Sequence, residues 1–183
     1  MIEEAVEQVF NSGVYRFLAD GVDYRDLRDI QAAVTEWSGW GAGWTAAAAK
    51  HVEIAENALV GRRTLTAGEA LSRVSLYCHY GQGPLYFDPA RKRAIQSRKE
   101  ELFRRAATLL DPPLERAEIP FEQTSLPAYL RLPKGTRPSP CAILLGGLDT
   151  TRRTTFSSTI CAPGAGWRPL RSMARARARC SIE

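Results

Sequence analysis

Gly146, Gly147, Leu148 and Asp149 are the residues of this chain best placed to do chemistry. They follow Ala142-Ile143-Leu144-Leu145 with no polar residue between, so an apolar run feeds straight into a glycine pair. Such a run reads as a strand buried on both faces that ends in a tight turn. Glycine lets the backbone take positive φ and lets a backbone N–H approach a ligand closely. In open α/β sheets the carboxyl ends of strands are where ligands bind. A second group, Tyr77-Cys78-His79-Tyr80 with Tyr86 nearby, gathers phenols around an imidazole. His79 then reads either as a ligand contact, with Tyr77 and Tyr80 lining the same cavity, or as a hydrogen-bonded packing residue.

Composition bounds what these residues serve. The chain has 183 residues, 44% of them hydrophobic, enough for one ordinary domain or a small one plus a fragment. No apolar run approaches the roughly 20 residues of a membrane span. The start, Met1-Ile-Glu-Glu-Ala-Val-Glu-Gln8, is acidic and unlike a signal peptide, so a cytoplasmic protein is expected. The net charge of +5 is misleading: residues 150–183 carry seven arginines against one acid, which leaves −1 for residues 1–149. The body therefore has no footprint for a polyanion, and no nucleic-acid partner is expected. Cys78, Cys141, Cys161 and Cys180, with His51 and His79, show no metal-ligand spacing.

Residues 1–113 read as helical. Ile2, Val6, Val9 and Phe10 form a helical stripe, and Val14, Phe17 and Leu18 continue it after an expected break at Asn11-Ser-Gly13. Asp23 reads as the N-cap of a helix with Leu27, Ile30, Val34 and Trp37 on one face. Trp37, Trp40 and Trp44, spaced three and four apart among glycines, also share a helical face. They read first as packing between helices and alternatively as an aromatic substrate wall. Ala46 to Arg62 is a strong helix. Thr66-Ala-Gly-Glu69 reads as a capping box opening the next. Asp88-Pro89 opens another, which runs to about Leu110 with Ile95, Leu102, Ala106 and Leu109 inward, and Asp111-Pro-Pro113 stops it.

After the double proline the period changes. Glu115–Phe121 alternates as an edge strand would, and Ala128–Leu132 alternates again. Residues 133–140 read as a hairpin loop before the buried strand Cys141–Leu145. The expected fold class is α/β, with three stretches: a helical domain at 1–113, the first strands and ligand turn at 114–151, and a tail at 152–183.

The helical front followed by ERAEIPFEQTSLPAYLRLPKGTRPSPCAILLGGLDTT resembles the α/β-hydrolases related to 2,6-dihydroxypseudooxynicotine hydrolase. The resemblance covers residues from about 20 to 151, and LLGGLDTT is its most specific piece. It implies an α/β-hydrolase fold fragment: an N-terminal all-helical cap, then the first strands of the sheet. It also implies hydrolysis of an ester, or of a carbon–carbon bond next to a ketone, by a Ser-His-Asp triad. The implied substrate is a small ester or ketone, no metal or organic cofactor is needed, and homodimerisation is left open. Gly146, Gly147 and Leu148 fall on the oxyanion loop, with the Leu148 N–H as candidate donor. Asp149 falls where the family keeps an acidic residue that positions or polarises the substrate; capping the following helix is its structural alternative.

The chain departs from the family after Thr151. No Gly-x-Ser-x-Gly occurs, and the triad's nucleophile, His and Asp are not found in family context. Joining the third base of each codon to the first two of the next gives a second reading of the tail. From Ser172 to Cys180 the residues permit the codons TCG ATG GCC CGG GCC AGG GCG AGA TGC, which would hide GAT GGC CCG GGC CAG GGC GAG ATG in the shifted frame. These encode Asp-Gly-Pro-Gly-Gln-Gly-Glu-Met, the family's next motif. The expectation is that residues from about 152 onward are out of frame, that the chain is a truncated, inactive hydrolase, and that the tail is disordered. The alternative is a helical, TPR-like interaction module at 1–113.

Overall fold

A computed structural model describes residues 3–83 and 88–132. The elements are α1 (Glu4–Ala19), α2 (Tyr24–Ala33), a 3-10 turn (Trp37–Gly39), α3 (Trp40–Val60), α4 (Thr64–Gly81), α5 (Pro89–Leu109), β1 (Leu114–Phe121) and β2 (Thr124–Arg131). Helices come first and strands second, as the patterning predicts. The loop at 133–140, the strand at 141–145, the turn at 146–149, Tyr86 and the tail lie outside the described residues.

Two predicted caps form. The Asp23 carboxylate accepts from the N–H groups of Arg25 and Asp26, opening α2, and Asp88 accepts from Arg91 N–H, opening α5 with Pro89 in its first turn. Three local expectations are corrected. First, α1 runs unbroken through Asn11-Ser-Gly13. Ser12 Oγ donates back to the Gln8 carbonyl at 2.7 Å, inside the helix. A Cβ on Gly13 would stand 2.8 Å from the Phe17 ring, so the glycine is the space Phe17 needs one turn later. Second, α4 begins at Thr64, not at a Thr66 capping box, and its N-cap Arg63 makes no side-chain cap bond. The preceding turn is already closed: Arg63 N–H reaches back to the Ala58 carbonyl at 2.8 Å and Arg62 N–H to Leu59 at 3.0 Å, with Arg62 left-handed at φ 55. Third, Trp37 sits in the 3-10 turn and only Trp40 and Trp44 belong to α3.

The core lies among α1 to α4. Val6, Phe10, Phe17, Leu27, Ile30, Val34, Trp40, Trp44, Val74 and Tyr77 are all buried in it. The tryptophans take their packing role there: Trp40 stacks on Phe10 at 5.0 Å, and Trp44 stacks on Tyr80 at 5.1 Å. Two glycines permit close helix approach. A Cβ on Gly43 would meet Val34 at 2.4 Å, and one on Gly68 would meet Leu109 at 2.9 Å, which sets how tightly α4 lies on α5.

β1 and β2 form an antiparallel hairpin, with Leu114 opposite Arg131 and Phe121 opposite Thr124. Its turn is Glu122-Gln123, and Glu122 has φ 50, as tight two-residue turns require. β2 thus starts four residues before the predicted Ala128, because Thr124–Pro127 pairs despite Pro127. The face carrying Leu114 and Tyr129 packs on Phe103 and Ala107 of α5, and the other face keeps Ile119, Phe121 and Leu126 about half exposed.

Candidate functional site

α2 and α3 each present one polar side chain inside an apolar stripe. Asp26 lies next to Leu27 and one turn before Ile30; His51 lies between Ala48 and Ala55. Both are buried, at 6% and 7% exposure. Asp26 Oδ2 accepts from Tyr77 Oη at 2.6 Å and meets His51 Nε2 at 2.6 Å. An ionised carboxylate can only accept, so His51 holds its proton on Nε2 when neutral. Tyr77 Oη accepts in turn from Asp23 N–H at 3.2 Å, tying α4 to the start of α2. Lys50 Nζ stands 3.6 Å from Asp26 Oδ1 and 2.7 Å from Asp29. Burial alone would raise the Asp26 carboxyl. The bonds from Tyr77 and His51, with the pull of His51 and Lys50, outweigh it and hold the carboxyl below its ordinary value. Burial and the bond to Asp26 push the Tyr77 hydroxyl well up.

One helical turn later, Tyr80 Oη donates to Asp20, and burial with that bond raises its pKa too. Trp40 Nε1 donates to the Tyr80 carbonyl at 2.8 Å. The predicted trio therefore divides. Tyr77 has 0% exposure and its hydroxyl serves Asp26; Tyr80 and His79 are half-buried neighbours with ring centroids 5.2 Å apart. Gly146, Gly147, Leu148 and Asp149 lie outside the described residues. Among the described residues no three His, Cys, Asp or Glu side chains form a metal-holding group, and no helix is long and apolar enough to cross a membrane. Sequence reasoning missed the Asp26–His51–Tyr77 cluster. Its one signal was a polar residue inside each apolar stripe; the partners lie 25 and 51 positions from Asp26.

No protein-family model matches the chain. The chain is 37% identical over 153 residues to 2,6-dihydropseudooxynicotine hydrolase of Paenarthrobacter nicotinovorans, a match covering 82% of this chain and 40% of that protein. The crystal structure of the 2,6-dihydroxy-pseudo-oxynicotine hydrolase superposes with a TM-score of 0.66 at 35% identity, over 78% of this chain and 40% of that one. The chain belongs to this helical-cap α/β-hydrolase family. It is also 36% identical over 128 residues to Hydrolase ORFZ of Pyricularia oryzae, covering 64% of this chain and 30% of that protein. It thus spans well under half the length of the curated hydrolases it matches. In family terms α1 to α5 are the N-terminal helical cap, and β1 and β2 are the first strands. A match of 153 residues cannot fit within a helical module of 113, so it does not favour a free-standing TPR-like reading.

Proposed function

We propose that this chain carries the cap and oxyanion loop of a hydrolase that cleaves a small ester, or a carbon–carbon bond next to a ketone. The observation that carries the reading is the joint match of sequence and fold, at 37% identity and a TM-score of 0.66, through a chain that ends its apolar run in Gly146-Gly-Leu-Asp149. In such a reaction a serine attacks a carbonyl, and negative charge grows on the carbonyl oxygen. By its position in the motif the Leu148 N–H is the candidate donor for that charge, an interaction worth roughly 3 kcal/mol of barrier. Asp149 positions the substrate beside it. His79 and Tyr80, which keep part of their surface, face the substrate from the cap, and Tyr77 supports Tyr80 through Trp44, whose ring it meets edge-on at 5.6 Å.

The 183 residues contain no Gly-x-Ser-x-Gly, and the residues from about 152 are compatible with family sequence read in a shifted frame. We therefore propose that this polypeptide is inactive and that its reading frame, once restored, encodes the active enzyme. Sequencing the coding DNA around codons 149–152 tests the first link. A DNA whose alternative frame does not spell Asp-Gly-Pro-Gly-Gln-Gly-Glu excludes the shift. Activity tests the second: the 183-residue chain is expected to leave p-nitrophenyl acetate unhydrolysed above background. Turnover abolished by mutating a serine within residues 1–183 overturns this reading.

A further inference from the structure

Away from the Asp26 cluster, on the side of α4 that faces α5, the fold forms a polar cleft open to solvent. We propose that this cleft, between α4, α5 and the hairpin, is a binding site for a small aromatic monocarboxylate. Its volume is about 370 Å³, within the range in which small ligands are held. Ser75 of α4, Lys99, Phe103 and Arg104 of α5, and Arg116 and Tyr129 of the hairpin line it. The proposal is independent of the hydrolase reading above.

The chemistry of the walls selects the ligand. Phe103 and Tyr129 meet edge to face at 4.9 Å, giving an aromatic side whose ring edges and faces suit another ring. Lys99 is only 3% exposed, and Ser75 Oγ donates to its carbonyl at 2.9 Å, fixing this turn of α5. An ammonium so buried acts through a lower dielectric than a surface lysine does. Arg104 and Arg116 bring guanidinium groups to the same space. Arg116 uses one Nη on Glu118 at 2.5 Å, and a guanidinium has further N–H groups to offer an anion. Against these three cations stand Glu100 and Glu101, also in the lining, with Glu100 accepting from Gln96 at 2.5 Å. With Glu118 on Arg116 counted, the three cations and three carboxylates balance, so the cleft has no excess charge to hold a phosphate dianion, and a monoanion is received through the N–H groups of Arg104 and Arg116. The aromatic wall distinguishes a ring-bearing acid from acetate.

The test is calorimetric titration of the full 183-residue chain with 4-hydroxybenzoate, its neutral amide and inorganic phosphate. Saturable binding of 4-hydroxybenzoate is expected, weakened about tenfold in Arg104→Gln and in Arg116→Gln, because each substitution removes a charge-assisted contact. The amide is expected to bind at least about tenfold more weakly on the same ground. Arg104 is exposed on α5, so Arg104→Gln is expected to keep the wild-type circular dichroism and to carry the test even if Arg116→Gln loosens the hairpin. Absence of saturable binding, equal binding of the amide, or undiminished binding by Arg104→Gln overturns the proposal. Phosphate binding as tightly as 4-hydroxybenzoate overturns the aromatic class.

Discussion

The α2–α3–α4 interface and the α5–hairpin interface solve the same packing problem differently. The first closes on itself: Leu27, Ile30, Trp44 and Val74 exclude water, and each hydroxyl, imidazole or carboxylate in the Asp26 cluster meets a partner inside the same three helices or at the α2 cap. The second rests on a small contact of Phe103, Ala107 and Leu114 with Leu110 and Tyr129, and leaves Ile119, Phe121 and Leu126 about half exposed on the opposite face. A two-stranded hairpin is marginal alone and needs further strands or a helix to hold it. The helical cap therefore carries most of its stability internally, whereas the hairpin borrows from α5. The family relationship fits this division, since in a whole hydrolase the hairpin is only the beginning of a sheet.

The comparison breaks most severely at Trp44, which joins α1, α3 and α4 through Phe17, Trp40, Tyr77 and Tyr80. Trp44→Ala is expected to cost roughly 4 kcal/mol, enough to unfold the cap. Urea denaturation followed by circular dichroism checks this, and a loss under about 1 kcal/mol would mean that the stack is not the cap's centre. Asp26→Ala comes next. It leaves Tyr77 Oη and His51 Nε2 without their shared acceptor and is expected to cost about 3 kcal/mol.

The same group gives the cap a pH signature. The Asp26 carboxyl is held below its ordinary value, so its contribution is complete above about pH 4 and is lost as pH falls through the folded value. Tyr77 and Tyr80 are raised, so their contribution is complete below about pH 10 and is lost as pH rises beyond it. Tryptophan fluorescence, which reports on Trp40 and Trp44, is expected to show both limits. In Asp26→Ala the acid limit is expected to move or vanish, and an unchanged acid profile would count against the cluster. Gly68→Ala attacks the junction between the two regions. Its Cβ would meet Leu109 at 2.9 Å and its backbone carbon at 3.0 Å, so α5 must move away from α4. A cost of about 2 kcal/mol is expected, with faster amide exchange in β1 and β2 than in α3.

Elements whose signal is local were legible from sequence. Asp23 and Asp88-Pro89 mark helix starts because a cap needs only its own first turn. The Gly13 and Thr66 readings failed because a neighbour decided them: Phe17 fills the space over Gly13, and the turn through Arg62 had already launched α4. The two strands were legible in their alternation, but their pairing into a hairpin was not, since Glu122-Gln123 carries none of the usual glycine or asparagine signals. The buried cluster was least legible. Asp26, His51 and Tyr77 are brought together by three separate helices, and no spacing along the chain encodes that meeting.

The ends of α1 and α3 offer the finest version of the comparison, because they are nearly the same turn. After α1, Val22 N–H reaches the Phe17 carbonyl at 2.9 Å and Gly21 N–H reaches Leu18 at 3.0 Å, with Gly21 at φ 99. After α3, Arg63 and Arg62 make the equivalent bonds, but the left-handed residue is Arg62 and the glycine stands one position too early, at Gly61. A side chain in that conformation costs about 1 kcal/mol or somewhat more, which glycine escapes. Part of the gain is returned as greater backbone freedom in the unfolded chain. Arg62→Gly is therefore expected to raise stability by about 0.5 kcal/mol. Thermal melting beside the reverse experiment at the matched turn checks it: Gly21→Arg is expected to lower stability by a larger amount. A destabilised Arg62→Gly would show that the Arg62 side chain contributes more than its backbone strain costs.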